Sequence, residues 1–413
     1  MTDPDRIAYA RSFASKLPPA KVREEVNRKY NFGTGHNDPD AIPVESFAEA
    51  ARNVLRREGR NLAIYGLGGS ALGYKDLREV VADKLRRHRG IDIGIDNVLI
   101  TSGSLQGMDL INSLLLDGSD TVIIEQFTYV AALSKAKWLG VEAVPAPLDD
   151  GGIDMDGLAA QLERLKLAGK RAKYIYTIPT IQNPTGSILS LERRHRLIEL
   201  ARHYQTPIFE DECYADLIWA GEAPPALYGL APDQVIHIGS FSKTLAPALR
   251  LGYLLAPWDA LGQILAFKSD GGTGALDQMV AAEYFRDHFD SHVATLTRML
   301  KRKLDVLVEA IDREFGTVAN VQVPLGGLYA WVRFPKSVDA RKLSEQAAKA
   351  DIAINAGPDW AVEPEDGAHS IRLCFGLVTE SEINEGIAEL ARVCHENFGV
   401  PEHSANRPNR GAA

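Results

Sequence analysis

Short β-rich runs alternating with helix-length amphipathic stretches constrain this chain more than any other feature. The runs are NVLIT (97–101), DTVIIE (120–125), KYIYTIPT (173–180), TPIFED (206–211), QVIHIGS (234–240) and GYLLA (252–256). Several are apolar without strict alternation, the pattern of parallel strands covered on both faces. Between them lie stretches such as GMDLINSLLL (107–116) and SLERRHRLIELARHY (190–204). In the latter, Ser190 can cap a helix and Glu192 sits in its first turn. Strand, crossover and strand repeated this often predict a wide, mostly parallel sheet.

The flanks read differently. ESFAEAARNVLRREG (45–59) predicts a helix stopped by Gly59, and the Gly-dense YGLGGSALG (65–73) precedes a helical pattern from Tyr74 to His88. After Gly274 a long helical region runs to about Glu314. GGLYAWVRFP (326–335) and HSIRLCFG (369–376) then look like strands of a smaller α+β unit, with helices at 338–350 and 380–397. Apolar residues are 45% of the 413, enough for a large core, and the formal charge of -9 argues against a chain built to grip nucleic acid or anionic lipid. Cys213, Cys374 and Cys394 form neither a disulfide framework nor a zinc spacing. Neither a signal-peptide pattern nor a run of ~20 apolar residues is present, so a soluble cytoplasmic protein with no membrane partner is expected.

Candidate chemistry collects at strand ends, where open α/β sheets place ligands. GSFSKTLAPALRLGY (239–253) follows VIHI, so Ser240, Ser242, Lys243 and Arg250 could hold a phosphate beside a reactive amine. Alone, the segment also fits a solvated Ser/Lys loop. SGSLQ (102–106) leads straight into a helix whose backbone N–H groups can cradle a phosphate. QNPTG (182–186) reads as a turn, and EDECY (210–214) sets Glu210, Asp211 and Glu212 at an apolar strand's end. Those acids fit solvated turn residues or metal ligands, with no matching His cluster to favour a metal.

Together these segments resemble the fold-type I pyridoxal-phosphate enzymes, specifically the aminotransferase class I/II family, in the branch with 2-aminoadipate, aromatic and branched-chain aminotransferases. The lysine signature is matched from Ser240 to Gly252, the NPTG turn at 183–186, the Asp-x-x-Tyr pair at Asp211 and Tyr214, and the late arginine in IRLCFG at Arg372. The resemblance covers roughly residues 30 to 398. It implies a large three-layer domain with a mostly parallel seven-stranded sheet and a smaller α+β domain. The expected division is an N-terminal arm (1–35), a piece of the small domain (36–64), the large domain (65–314), the small C-terminal domain (315–400) and a flexible tail (401–413).

The resemblance also implies roles. Lys243 would carry pyridoxal 5′-phosphate covalently and shuttle a proton, with pyridoxamine phosphate as intermediate. Asp211 would face the pyridine nitrogen, Asn183 and Tyr214 the phenolic oxygen, and Tyr129 the ring face. Ser104 and Leu105 backbone groups, the Ser240 and Ser242 hydroxyls and Arg250 would hold the phosphate. Leu105 departs from the Thr, Ser or Gln usual there, which removes one side-chain hydrogen bond. Arg372 would fork onto the substrate α-carboxylate, with Gly35 approaching the same group. Tyr65 matches a tyrosine donated by the neighbouring subunit, implying a homodimer with shared active sites. The expected reaction moves an amino group between an L-amino acid and a 2-oxo acid, 2-oxoglutarate or pyruvate, by a ping-pong mechanism. Alternatives on this scaffold are a decarboxylase, a racemase or a carbon–sulfur lyase. An effector-sensing regulator is more remote, because only about 30 residues precede the resemblance. Arg11, Arg23, Lys268 or His36 could meet a second acidic group on a substrate.

Overall fold

A computed structural model of the chain describes residues 27–221 and 223–401, together with residues 12, 13, 17 and 20. The expectations for Arg11, Arg23, most of the N-terminal arm and the tail after residue 401 lie outside the described residues. Seven strands form the main sheet. They are β1 (Val98–Thr101), β2 (Thr121–Glu125), β3 (Glu142–Ala146) and β4 (Ala172–Thr177), then β5 (Ile208–Asp211), β6 (Val235–Ser240) and β7 (Gly252–Leu255). Their order is β1-β7-β6-β5-β4-β2-β3, and only β7 runs antiparallel to its neighbours.

Both faces of this sheet are apolar, which is why its strands read as near-continuous hydrophobic runs. Ile123, Ile175, Ile208 and Val235 join one buried cluster, while Val122, Ile124, Phe209 and Ile236 join the one on the opposite face. Each such side chain, fully buried, stabilises the fold by about 1.5–3 kcal/mol. The helix Ser104–Leu115 follows β1 directly, and Leu191–His203 begins at Ser190, whose hydroxyl accepts from the Arg193 N–H as its sequence position suggests.

A second sheet is antiparallel, ordered β8-β9-β11-β10, from β8 (Asn320–Gln322), β9 (Tyr329–Arg333), β10 (Asn355–Ala356) and β11 (Ser370–Cys374). The chain reaches it early. Tyr30–Asn31 pairs in parallel with Ile352–Ala353, and Phe32 is buried in the same cluster as Leu373 and Ile387. One 41-residue helix, Ala275–Phe315, joins the two units. At 1.5 Å per residue it is about 60 Å long. Its first half buries Met279, Phe285 and Phe289 against the main-sheet core, and its second half buries Leu296, Leu300, Leu304, Leu307 and Ile311 in the other. Among the described residues no helix is long and apolar enough to cross a membrane.

The helix Val44–Glu58 stops at Gly59 as expected, but Gly59 keeps a right-handed conformation and the chain tightens into a 3-10 turn, Gly59–Ala63. The edge strand β3 was not visible as a β-run. Its Glu142 is exposed and Pro145 interrupts the ladder donors, a substitution that only an edge tolerates.

Candidate active site

The acidic strand end of β5 splits between two sides of the sheet. Glu210 accepts the Leu227 and Tyr228 N–H groups at 2.6 and 3.0 Å and lies 2.8 Å from His237 Nδ1. Glu212 takes a bidentate fork from Arg89, whose Nε and Nη2 lie 2.7 and 2.5 Å from its two oxygens. The Thr180 hydroxyl donates to Glu212 as well, and Arg194 donates to that hydroxyl. Burial opposes ionisation of Glu212, but Arg89 and Arg194 outweigh it and hold its pKa well below the usual range. Glu210, Glu212 and His237 do fall within metal-ligand reach of one another. The lone pairs a cation would need are already shared with these arginines and backbone donors.

Asp211, between the two glutamates, points the other way by the period-2 alternation of a strand. It lines a cavity of about 580 Å³ at the carboxyl ends of β4, β5 and β6, a volume suited to a small-molecule ligand. The Tyr176 hydroxyl donates to its Oδ2 at 2.8 Å and the Cys213 N–H to its Oδ1 at 3.1 Å. Burial raises the Asp211 pKa, and these donors pull it back.

Lys243 enters the cavity from the loop after β6. Its amine donates to the Gly35 carbonyl at 2.6 Å, and its own carbonyl accepts from Asn37 Nδ2 at 2.6 Å. Burial lowers the lysine pKa, Arg372 and Arg250 lower it further, and the Cys374 and Cys213 thiols oppose them. The amine is therefore easier to deprotonate than a surface lysine, as a proton-moving group requires. Arg372, on β11, is buried between two aromatic rings. Its guanidinium carbon lies 4.0 Å from the Trp360 ring centroid and 5.0 Å from that of Tyr329. Tyr214 packs edge-on against Tyr329, with centroids 5.0 Å apart, and burial pushes its phenol well above the ordinary range. Asn183 is held by the turn behind it. Glu125 accepts from Thr177, Ile178 N–H and Gln182, and Gln182 accepts from Thr185. Burial raises the Glu125 pKa to about 7 against these donors.

The other end of the cavity is a cationic cup. The helix Ser104–Leu115 starts after Gly103 with no side-chain cap, so its first N–H groups face the cavity mouth. Arg250, in a left-handed conformation at φ 53°, approaches the Ser242 hydroxyl at 3.5 Å and the Ser102 carbonyl at 3.4 Å. A Cβ on Gly103 would stand 2.2 Å from Arg250 Nη2, and one on Gly252 would stand 2.6 Å from the Ser104 nitrogen. Close approach to backbone demands glycine at 252, while at 103 the φ of 81° does so. The Ser240 hydroxyl accepts from the Ser242 N–H at 3.1 Å.

Gly35, Ser104, Leu105, Tyr129, Asn183, Asp211, Tyr214, Ser240, Ser242, Lys243, Arg250 and Arg372 all line this one cavity. Tyr65 does not. It is 91% exposed, beside Gly271 in a separate surface hollow lined by the glycine-rich turn. His36 lines the main cavity, its pKa lowered by burial and by Lys243, whereas Lys268 is paired with Asp270 at 2.6 Å. Sequence reading missed Trp360, Tyr176 and the Glu125–Gln182 brace. Trp360 lies twelve positions before Arg372 and carries no spacing signal, Tyr176 and Glu125 sit within runs that read as plain strand, and Gln182 sits in a segment that reads as a turn.

Pyridoxal phosphate, which the sequence resemblance implies, can be tested against what these groups lack. Asn183 Oδ1 and Arg372 Nε are buried without a partner. Buried polar atoms are rarely left so unless a ligand completes them. The cup supplies N–H, hydroxyl and guanidinium donors for a phosphate, and a buried carboxylate stands inside the cavity for a ring nitrogen. The donor set fits the group.

The chain matches the model of the family described as "Aminotransferase class I and II" over residues 27–390. An aromatic-amino-acid aminotransferase of Thermococcus litoralis is 31% identical over 404 residues, covering 95% of this chain and 96% of the relative. An uncharacterized HTH-type transcriptional regulator of Bacillus subtilis is 31% identical over 370 residues, covering 87% of this chain and 73% of that protein. Among solved structures, the α-aminoadipate aminotransferase LysN of Thermus thermophilus, complexed with N-(5′-phosphopyridoxyl)-L-leucine, superposes with a TM-score of 0.86 at 28% identity. That match covers 95% of this chain and all of the other. Sequence, fold and donor set thus converge, and the chain belongs to the aminotransferase class I and II family as a pyridoxal-phosphate-dependent transaminase.

Proposed function

We propose that the 580 Å³ cavity is the transamination site, and that Lys243, Asp211 and Arg372 carry the reaction between an L-amino acid and a 2-oxo acid, 2-oxoglutarate or pyruvate. The observation carrying this reading is their convergence. A buried amine of lowered pKa, a buried carboxylate and a buried guanidinium with an unpartnered Nε line one cavity. Bound pyridoxal phosphate supplies an electrophilic carbon for the substrate amine and a ring that withdraws electrons from the substrate Cα. Lys243 would hold that group, and its buried Nζ of lowered pKa would be the base that moves the Cα proton. Asp211 keeps a negative charge against the ring nitrogen. Asn183 and Tyr214 donate toward the ring oxygen, and Tyr129 covers its face. Ser104, Leu105, Ser240, Ser242 and Arg250 hold the phosphate through the cup. Leu105 contributes its backbone N–H alone.

Arg372 grips the α-carboxylate by a bidentate fork, with Gly35 beside it. By fixing the carboxylate, Arg372 would leave the Cα–H bond, and not the carboxylate bond, free for cleavage, which would favour proton removal over decarboxylation. A homodimer completes the site, with the exposed Tyr65 reaching the partner's phosphate cup. We further propose a soluble cytoplasmic setting and a division of 315–400 against 65–314, with the helix Val44–Glu58 packing Ala50 and Val54 into the main-sheet core instead of joining the small unit. The amino donor is of the kind named in the relatives, aromatic or α-aminoadipate-like, for which Tyr129, Ile178 and Trp360 offer a long apolar wall. Replacing Lys243 by Ala tests the reading. Both the near-visible absorbance of the holoenzyme and transamination should disappear, and persistence of either would sink the assignment.

A further inference from the structure

We infer that Tyr176 is a positioning residue that keeps Asp211 ionised and aimed into the cavity. The inference rests on the reading that Asp211 faces the cofactor's ring nitrogen. Tyr176 lies on β4 in register with Phe209 of β5, is 1% exposed and does not itself line the cavity. Its ring is fixed edge-on against Phe209, with centroids 5.1 Å apart at 78°. Its hydroxyl reaches Asp211 Oδ2 at 2.8 Å. Among the described residues Cys213 also reaches this carboxylate, through both its N–H and its thiol, so Tyr176 supplies the one donor from a neighbouring strand.

The direction of the effect follows from donor chemistry. A buried carboxylate ionises only when hydrogen bonds replace the water it has lost. The phenol can serve at any working pH, because burial and Asp211 itself raise its pKa far above the ordinary value, so it stays protonated and donates. Of the other titratable groups around Asp211, the Cys213 thiol also donates to it, while Glu125 on β2 is a second buried acid, Tyr129 lines the cavity, Tyr329 lies on β9 and His237 on β6. Lys243 stands in the same cavity, with its amine committed to Gly35.

The test uses Tyr176→Phe, which keeps the ring against Phe209 and removes only the oxygen. Removing a hydrogen bond to a charged acceptor raises the Asp211 pKa further. Pyridoxamine phosphate is titrated into apoenzyme from pH 5.5 to 8.5, since this form binds without a covalent link to Lys243. The ratio of variant to wild-type dissociation constants should lie near one at the alkaline end. It should climb toward roughly 10- to 100-fold at the acid end, where a carboxylate that has lost a donor takes up a proton more readily. The acid limb of the kcat/KM profile should move up in parallel. A ratio constant across pH, whether at one or at a fixed loss, overturns the inference by assigning Tyr176 packing alone. Asp211→Asn separates the two readings: if it binds pyridoxamine phosphate as well as wild type, the Asp211 reading itself has failed.

Discussion

Replacing Trp360 by Leu should damage recognition of the substrate carboxylate selectively. The guanidinium of Arg372 stands 4.0 Å from the Trp360 ring centroid, and the indole is only 5% exposed. In so dry a setting a cation–π contact contributes about 2 kcal/mol. Leu retains apolar bulk, so the loss is mainly of the ring face that fixes the plane of the fork. Tyr329, at 5.0 Å, and the Cys374 sulfur, 2.7 Å from Nη2, still hold the arginine loosely. A loss near 2 kcal/mol corresponds to about 30-fold in kcat/KM. It should fall mostly on KM, because the carboxylate is gripped in ground state and transition state alike. Single-turnover kinetics of the amino-acid half-reaction measure it, run beside a primary amine that lacks a carboxylate. The amine should lose less than about threefold, since it never uses the fork. Equal losses for both substrates, or an amino-acid value within twofold of wild type, would refute the argument.

Two further substitutions probe the cup and the brace behind Asn183. Gly103→Ala forces a Cβ into 2.2 Å contact with Arg250 Nη2 at a backbone φ of 81°. The strain of about 1–3 kcal/mol should weaken cofactor binding by about 5- to 150-fold in equilibrium dialysis while the fold survives. Glu125 has a folded pKa of about 7 against an ordinary 4.5. The folded protein therefore binds a proton that the unfolded chain has released between those values. This contribution to stability is present below pH 4.5 and is lost as pH rises through 7, at most about 3 kcal/mol. Glu125→Gln cannot titrate, so urea unfolding of its apo form between pH 5 and 7.5 should lose less stability than wild type. Parallel profiles would show that Glu125 does not titrate there.

Six of the seven main strands were legible because β-branched and aromatic runs buried on both faces leave a continuous apolar signature, as in VLIT and VIHIGS. The edge strand at Glu142–Ala146 was not, since one side meets solvent and Pro145 is tolerated there. Lys243, Asp211, Asn183 and Arg250 lie at or beyond strand ends, where open sheets place ligands, but their segments alone also read as turns, and it was the family resemblance that singled them out. Trp360 and Tyr176 act on Arg372 and Asp211 through space, from elements distant in sequence, and a core tyrosine in a strand looks the same whether or not its hydroxyl holds a carboxylate. Tyr65 was legible as a residue of the glycine-rich turn, but one chain leaves it pointing outward.

The central claim is that Lys243 is the lysine that carries the cofactor. Borohydride reduction of the holoenzyme, followed by peptide mass spectrometry, reads this directly. A phosphopyridoxyl group should appear on the peptide containing Lys243, and it should disappear when reduction is preceded by excess amino acid, which displaces the lysine. Labelling at another lysine, or no labelling of a cofactor-loaded protein, would contradict the account.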